Sequence, residues 1–155
     1  MLNVGDNAPN FEAFDQNGHI RTLAEFAGRT LVIYFYPKDM TPGCTTEACD
    51  FRDNLARIAH HGAAVVGISA DSVARHRKFA DKEGLSFPLL ADEDRTIVEA
   101  YGVLKEKTLY GRKFMGIERT TFVVDADGRI AHVFEKVKVK GHVDAVIDVL
   151  ERMGA

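Results

Sequence analysis

Cys44 and Cys49 are the only cysteines of the chain, and they stand in the spacing C-x4-C. They lie in the stretch TLVIYFYPKDMTPGCTTEACDFRD, from Thr30 to Asp53. An apolar segment, Leu31 to Tyr36, reads as a strand and runs into a loop holding Pro37, Pro42 and Gly43. The pattern predicts a helix starting near Gly43 and Cys44. At a helix start the unpaired N–H groups and the positive end of the macrodipole favour a thiolate over a thiol. The thiolate is the reactive form of cysteine. Cys44 is therefore the best candidate in the chain for a reactive thiol.

The spacing of the pair adds a second constraint. Residues five apart in an α-helix have Cα atoms about 8.6 Å apart. A disulfide needs Cα atoms closer than roughly 7 Å. Cys44 and Cys49 can bond only if the first turns of the helix between them unwind. The pair then implies two states, a folded reduced form and a locally unwound oxidised form. Taken without its surroundings, the pair reads equally as two unrelated thiols, one of them a small buried hydrophobe.

These residues need a framework. Phe11 to Phe14 and His19 to Thr22 read as two strands joined through Asn17-Gly18, a hairpin signal. A helical turn, Leu23 to Phe26, follows. Leu31 to Tyr36 is apolar throughout, as a strand covered on both faces requires. The helix after Cys49 is predicted to continue from Asp50 to His61, with Phe51, Leu55, Ile58 and Ala59 facing the core. Val65 to Ser69 is a second buried strand, and Asp71-Ser72 offers caps for a helix from Val73 to Glu83. That helix is expected to carry its Arg, Lys and His residues on an outer, solvated face. A short apolar segment, Phe87 to Leu90, precedes a helix from Arg95 to Tyr101. Leu104 to Gly116 reads as a polar loop. Thr120 to Val124 and Arg129 to Phe134 form a second hairpin, and Gly141 to Met153 a final amphipathic helix. This order argues for a central mixed β-sheet flanked by helices, with an N-terminal β-hairpin, and a thioredoxin-like α/β fold fits it.

The totals bound the function. The chain has 155 residues, 46% hydrophobic and 28% charged, which suits one domain (1–155) with a real core. Its net charge of −3 gives no electrostatic argument for nucleic acid or a membrane surface. No apolar run is long enough to span a bilayer, and the N-terminus does not read as a secretion signal, so the cytoplasm is the expected location. Two cysteines in such a chain point to redox or catalytic use rather than a structural staple.

The segment Pro37 to Cys44 fits P-x-x-x-T-x-x-C and resembles the active-site signature of the peroxiredoxins. The longer string FYPKDMTPGCTTEAC is similar to the bacterioferritin-comigratory-protein, or peroxiredoxin Q, branch. GDNAPNFEAFDQNG, KFADKEGLSFPLLAD and YGVLKEKTLYGRKFMGIERTTFVVD extend the resemblance over nearly the whole chain. Leu104 departs from it, since many relatives carry tryptophan there.

The resemblance implies a thiol peroxidase acting on hydrogen peroxide and organic hydroperoxides, with Cys44 as the peroxidatic cysteine and Cys49 as the resolving one. Arg119 matches the arginine that the family places beside the thiolate; spacing alone would read it as a solvated charge. Thr41 would bring a hydroxyl to the thiolate and the peroxide, or serve as an ordinary helix cap. Pro42 would cover the sulfur while starting the helix. Pro37 would fix the chain after the strand, and Gly43 would let the backbone approach closely. Glu47 would hold Arg119, or simply complement the helix dipole. A thioredoxin-type dithiol would reduce the Cys44–Cys49 disulfide. No metal, flavin or haem is implied, and a monomer is expected, with a dimer as the alternative.

Other classes fit less well. A disulfide reductase of this fold uses C-x-x-C, not C-x4-C. Cys44, Cys49, His60 and His61 match no standard zinc spacing. A peroxide sensor that docks a partner without sustained turnover shares the same cysteines and differs only in turnover. The basic run Arg75 to Lys78 and the lysines at 136, 138 and 140 read as solvated surface.

Overall fold

A computed structural model describes residues 2–154, so the expected 1–155 domain runs one residue past it at each end. The organising strand is β3 (Thr30–Phe35), which lies at the centre of a five-stranded sheet. It pairs in parallel with β4 (Ala63–Ser69), and β4 pairs in parallel with β5 (Leu89–Ala91). On its other side it pairs antiparallel with β8 (Thr120–Val124), which pairs antiparallel with β9 (Ile130–Phe134). A small hairpin, β1 (Glu12–Phe14) with β2 (Ile20–Thr22), precedes the sheet. The expected mixed sheet and N-terminal hairpin are both present.

The uninterrupted apolar run of β3 has a direct cause: both of its faces are covered. Val32, Tyr34 and the following Tyr36 share one core with Phe51 of α1 (Pro42–Asp53), Ile58 of α2 (Leu55–His60), Phe79 of α3 (Val73–Glu83) and Val146 of α5 (His142–Gly154). Leu31, Ile33 and Phe35 share the opposite core with Phe11, Phe26 and the Ile97–Val98 pair of α4 (Thr96–Ala100). Burying an aromatic or aliphatic side chain of this kind contributes about 2–3 kcal/mol. The strand end carrying the loop to Cys44 is therefore anchored from two sides.

Three expectations need correction. Residues 104–116 are not a loop: β6 (Leu104–Leu109) and β7 (Arg112–Ile117) form an antiparallel hairpin. Its turn is Tyr110-Gly111, both with positive φ, the geometry of a tight two-residue hairpin turn. Both strands are largely exposed, so no buried face marks them in the sequence. The helix expected from Asp50 to His61 is broken at Asn54, whose side-chain amide donates to the Asp50 carbonyl, and Ala59 is exposed. The third correction is His76, which is fully buried in α3 rather than solvated. It lies three and four residues before Phe79 and Ala80, the buried stripe of that helix.

Candidate active site around Cys44

Pro42 is the first residue of α1 and Thr41 its N-cap, so Cys44 occupies the third helical position. The Thr41 side chain makes no capping bond. Its hydroxyl donates to the Lys38 carbonyl at 2.8 Å rather than to the sulfur. The first-turn N–H groups thus remain without a side-chain cap, facing outward from the helix end beside Cys44. Pro37 and Pro42 are exposed, while Cys44 is 1% exposed. The loop delivers the thiol from surface to core within two residues.

Arg119 approaches from the neighbouring strand, β8, which pairs with β3. It sits between β7 and β8 and is fixed there by its own carbonyl, which accepts from the Val137 N–H at 2.9 Å. Its guanidinium makes two bonds: Nη2 lies 3.4 Å from Cys44 Sγ, and Nη1 donates to Glu47 Oε1 at 2.6 Å. The side chain is 16% exposed and that of Glu47 is fully buried. The Glu47–Arg119 pair expected from the sequence is present, and Glu47 lies one helical turn after Cys44. Gly43 makes room for it. A Cβ built on Gly43 would stand 3.3 Å from Arg119 Nη2, tighter than ordinary contact.

Burial and the opposite charge pull against each other at this pair. Burial raises the Glu47 carboxyl to about 7, although Arg119 pulls the other way. Burial works against the charge on Arg119 as well, but Glu47 and Cys44 outweigh it and hold the guanidinium above its usual value. His142 is close enough for Arg119 to act on it: burial first, then the guanidinium, lowers it to about 4. It is neutral near pH 7 and adds no second cation there.

Cys49 has the opposite surroundings. It is half-buried on the same helix, and both cysteines are free thiols. Its Sγ lies 3.9 Å from Glu83 Oε1. Burial raises the Cys49 thiol; Glu83, Asp53 and Asp50 raise it further, and Arg52 offsets part of this. One thiol therefore faces a cation and the other a carboxylate. With α1 intact between them, the spacing of about 8.6 Å along a helix keeps them from bonding.

One cluster escaped the sequence reading. Asp39, Asp71 and His76 gather ligand-type atoms within 4.8 Å of one another. The contact between His76 Nδ1 and Asp39 Oδ2 is 2.6 Å, a hydrogen bond. Two donors bound to one metal ion stand more than about 3 Å apart, so this contact does not leave room for an ion between them. Cys44, Cys49, His60 and His61 form no metal-ligand cluster among the described residues.

Residues 4–133 match the model of the AhpC/TSA family. The chain belongs to that family. Within it, the chain is 45% identical to peroxiredoxin Bcp of Bacillus subtilis over 152 residues, covering 98% of this chain and 97% of the relative. It is also 45% identical to peroxiredoxin Bcp of Escherichia coli over 150 residues, covering 97% and 96%. Among solved structures, peroxiredoxin Q of Xanthomonas campestris superposes with a TM-score of 0.92 at 42% identity, covering 100% of this chain and 98% of that one. A bacterioferritin comigratory protein from the same organism, solved as trapped intermediate and ligand complexes to explain its alkyl peroxide reduction, matches with a TM-score of 0.92 at 41% identity, covering 100% and 99%. The AhpC/TSA chain described here thus has the thioredoxin-like architecture of the Bcp and peroxiredoxin Q branch.

Proposed function

We propose that this chain, acting as one domain, is a dithiol-dependent peroxidase that reduces hydrogen peroxide and organic hydroperoxides through Cys44. The observation that carries the reading is the 3.4 Å approach of Arg119 Nη2 to Cys44 Sγ at an uncapped helix start. The Cys44 thiolate attacks one oxygen of ROOH and the O–O bond breaks. Sulfur takes up one oxygen as sulfenic acid, and the leaving RO⁻ picks up a proton and departs as alcohol or water. Arg119 stabilises the negative charge as it moves from sulfur to the leaving oxygen. The helix N–H groups donate to the same charge. Thr41, its proton committed to Lys38, offers its oxygen lone pairs to the hydroperoxide O–H. Pro42 and the buried setting of Cys44 limit water at the sulfur.

Cys49 then attacks the sulfenic sulfur. An S–S bond forms, the S–O bond breaks, and the oxygen leaves as water. This step requires the start of α1 to unwind. A thioredoxin-type dithiol returns both thiols by exchange and is itself oxidised to a disulfide. Free thiols that must be re-reduced fit a reducing compartment such as the cytoplasm. No helix among the described residues is long and apolar enough to cross a membrane, and a monomer is sufficient for this cycle because both cysteines are on one helix.

Steady-state turnover tests the reading. Peroxide consumption should continue far beyond one equivalent with thioredoxin and its reductase, and should vanish in Cys44→Ser. Consumption that stops after one equivalent despite an active reductant would overturn it in favour of a sensor.

A further inference from the structure

Asp39 lies five residues before Cys44, in the loop that carries it, and is 1% exposed. Every polar group it has is bound. Oδ1 accepts from Tyr36 Oη at 2.6 Å, and Oδ2 meets His76 Nδ1 at 2.6 Å. Its N–H donates to Asp71 Oδ2 at 2.8 Å, and its carbonyl accepts from Arg75 Nη2 at 3.3 Å. Asp71 is held in turn by the Ser69 hydroxyl at 2.6 Å. The partners come from the end of β3, the β4–α3 turn and α3 itself. The other ring nitrogen of His76, Nε2, faces the Leu90 carbonyl at 2.9 Å. A carbonyl only accepts, so Nε2 carries a proton, and a further proton lies between Nδ1 and Oδ2. Buried groups paired this closely are costly to separate.

The chain beyond Asp39 is held differently. Met40 takes the left-handed conformation at φ 63, which a residue with a Cβ disfavours. The Thr41 and Thr46 hydroxyls donate only to the nearby Lys38 and Pro42 carbonyls. The next firm tie to α3 is Arg52, whose Nη1 donates to the Glu83 carbonyl at 2.6 Å. The segment that must unwind to join Cys44 to Cys49 thus lies between two anchors, Asp39 and Arg52. Between them it is held by the core packing of Cys44 and Ala48 and by the bonds of Arg119.

We infer that Asp39, clamped by Tyr36, Asp71, Arg75 and His76, is a positioning residue that fixes the upstream limit of helix unwinding in the catalytic cycle. The inference rests on the two-cysteine cycle proposed above. In the reduced state the clamp sets Thr41 to Cys44 beneath Arg119. After oxidation it confines the opening to residues 40 and beyond, so that the helix recloses in place. Releasing Asp39 lengthens the mobile segment toward Pro37, and the added freedom favours the open state. The two half-reactions then move in opposite directions: Cys44 oxidation slows because the thiol is less well placed, and disulfide formation quickens.

The chain has no tryptophan, so the rates are best read by rapid acid quench and intact mass. Sulfenic acid makes the protein one oxygen heavier, and the disulfide makes it two hydrogens lighter. In Asp39→Ala, oxidation by hydrogen peroxide should slow about tenfold, from the lost positioning. Disulfide formation should quicken roughly threefold, and overoxidation at high peroxide should fall accordingly. Tyr36→Phe, which keeps the core packed, should shift both rates the same way by about threefold. Asp39→Asn should stay near wild type, because its amide can accept from Tyr36 and donate to Nδ1. The clamp is refuted if both rates fall together or neither moves in Asp39→Ala and Tyr36→Phe, or if Asp39→Asn behaves like Asp39→Ala. If wild type itself forms no Cys44–Cys49 disulfide, the two-cysteine cycle fails and the role of Asp39 falls with it.

Discussion

Replacing Glu47 with glutamine removes a buried charge while keeping the side chain's shape. Glu47 is 0% exposed, Oε1 is bound by Arg119 and Oε2 has no hydrogen-bond partner. Burial raises its carboxyl from 4.5 to about 7 against the pull of Arg119. The folded value lies above the unfolded one, so the folded protein holds this proton more tightly. The stabilisation from Glu47 is complete below about pH 4.5 and is lost as pH rises through about 7. At about 1.4 kcal/mol for each pH unit, the difference amounts to about 3 kcal/mol. Urea unfolding of the reduced protein, wild type and Glu47→Gln, should be followed by circular dichroism from about pH 4 to about pH 8. Groups common to both proteins cancel in the difference. Wild-type stability minus that of the variant should fall by about 3 kcal/mol over this range. A flat difference would mean that Arg119 fully offsets the burial, and one that rises with pH that it more than offsets it. The reading that burial raises the Glu47 carboxyl would then be wrong.

Three further outcomes follow from the same geometry. Gly43→Ala places a Cβ 3.3 Å from Arg119 Nη2; with Arg119 tethered to Glu47, the guanidinium must shift, and the rate of Cys44 oxidation should fall about tenfold, read by quench and mass, with the unfolding midpoint little changed. His142 is the mirror image of Glu47: burial and Arg119 lower it from 6.5 to about 4, so its contribution to stability is present above about pH 6.5 and lost as pH falls toward 4. The wild-type minus His142→Asn difference in urea should therefore drop by about 3 kcal/mol on acidification, opposite in slope to Glu47. Gly67→Ala would drive a Cβ to 2.8 Å from the fully buried Tyr34 ring; a loss of about 2 kcal/mol or more in thermal unfolding is expected, with the peroxide rate of the folded fraction unchanged.

The strand, the proline-glycine loop and the helix start were legible around Cys44 because each has a local signature. Leu31 to Phe35 is apolar on both faces, and Pro42 opens the helix where a missing N–H does no harm. Arg119 was different. It is 75 residues from Cys44, and no periodicity joins them; only the family pattern at GIERTTF brought it forward. His76 was hidden inside a charged run, although its spacing to Phe79 and Ala80 marks the buried stripe of α3. Charge masked periodicity there, and with it the partner of Asp39. The β6–β7 hairpin went unread for the converse reason. It buries little, and its turn puts a tyrosine where asparagine or glycine usually announces positive φ.

The central claim is that Cys44 takes the peroxide oxygen and Cys49, on the same helix, removes it. Intact mass and thiol counting after one equivalent of hydrogen peroxide tests this most directly, with Cys44→Ser and Cys49→Ser alongside. Wild type should lose both thiols as an intramolecular disulfide, Cys49→Ser should hold a sulfenic acid, and Cys44→Ser should remain unchanged. Survival of the Cys44 thiol through minutes of micromolar peroxide would contradict the account, whatever the fold resembles.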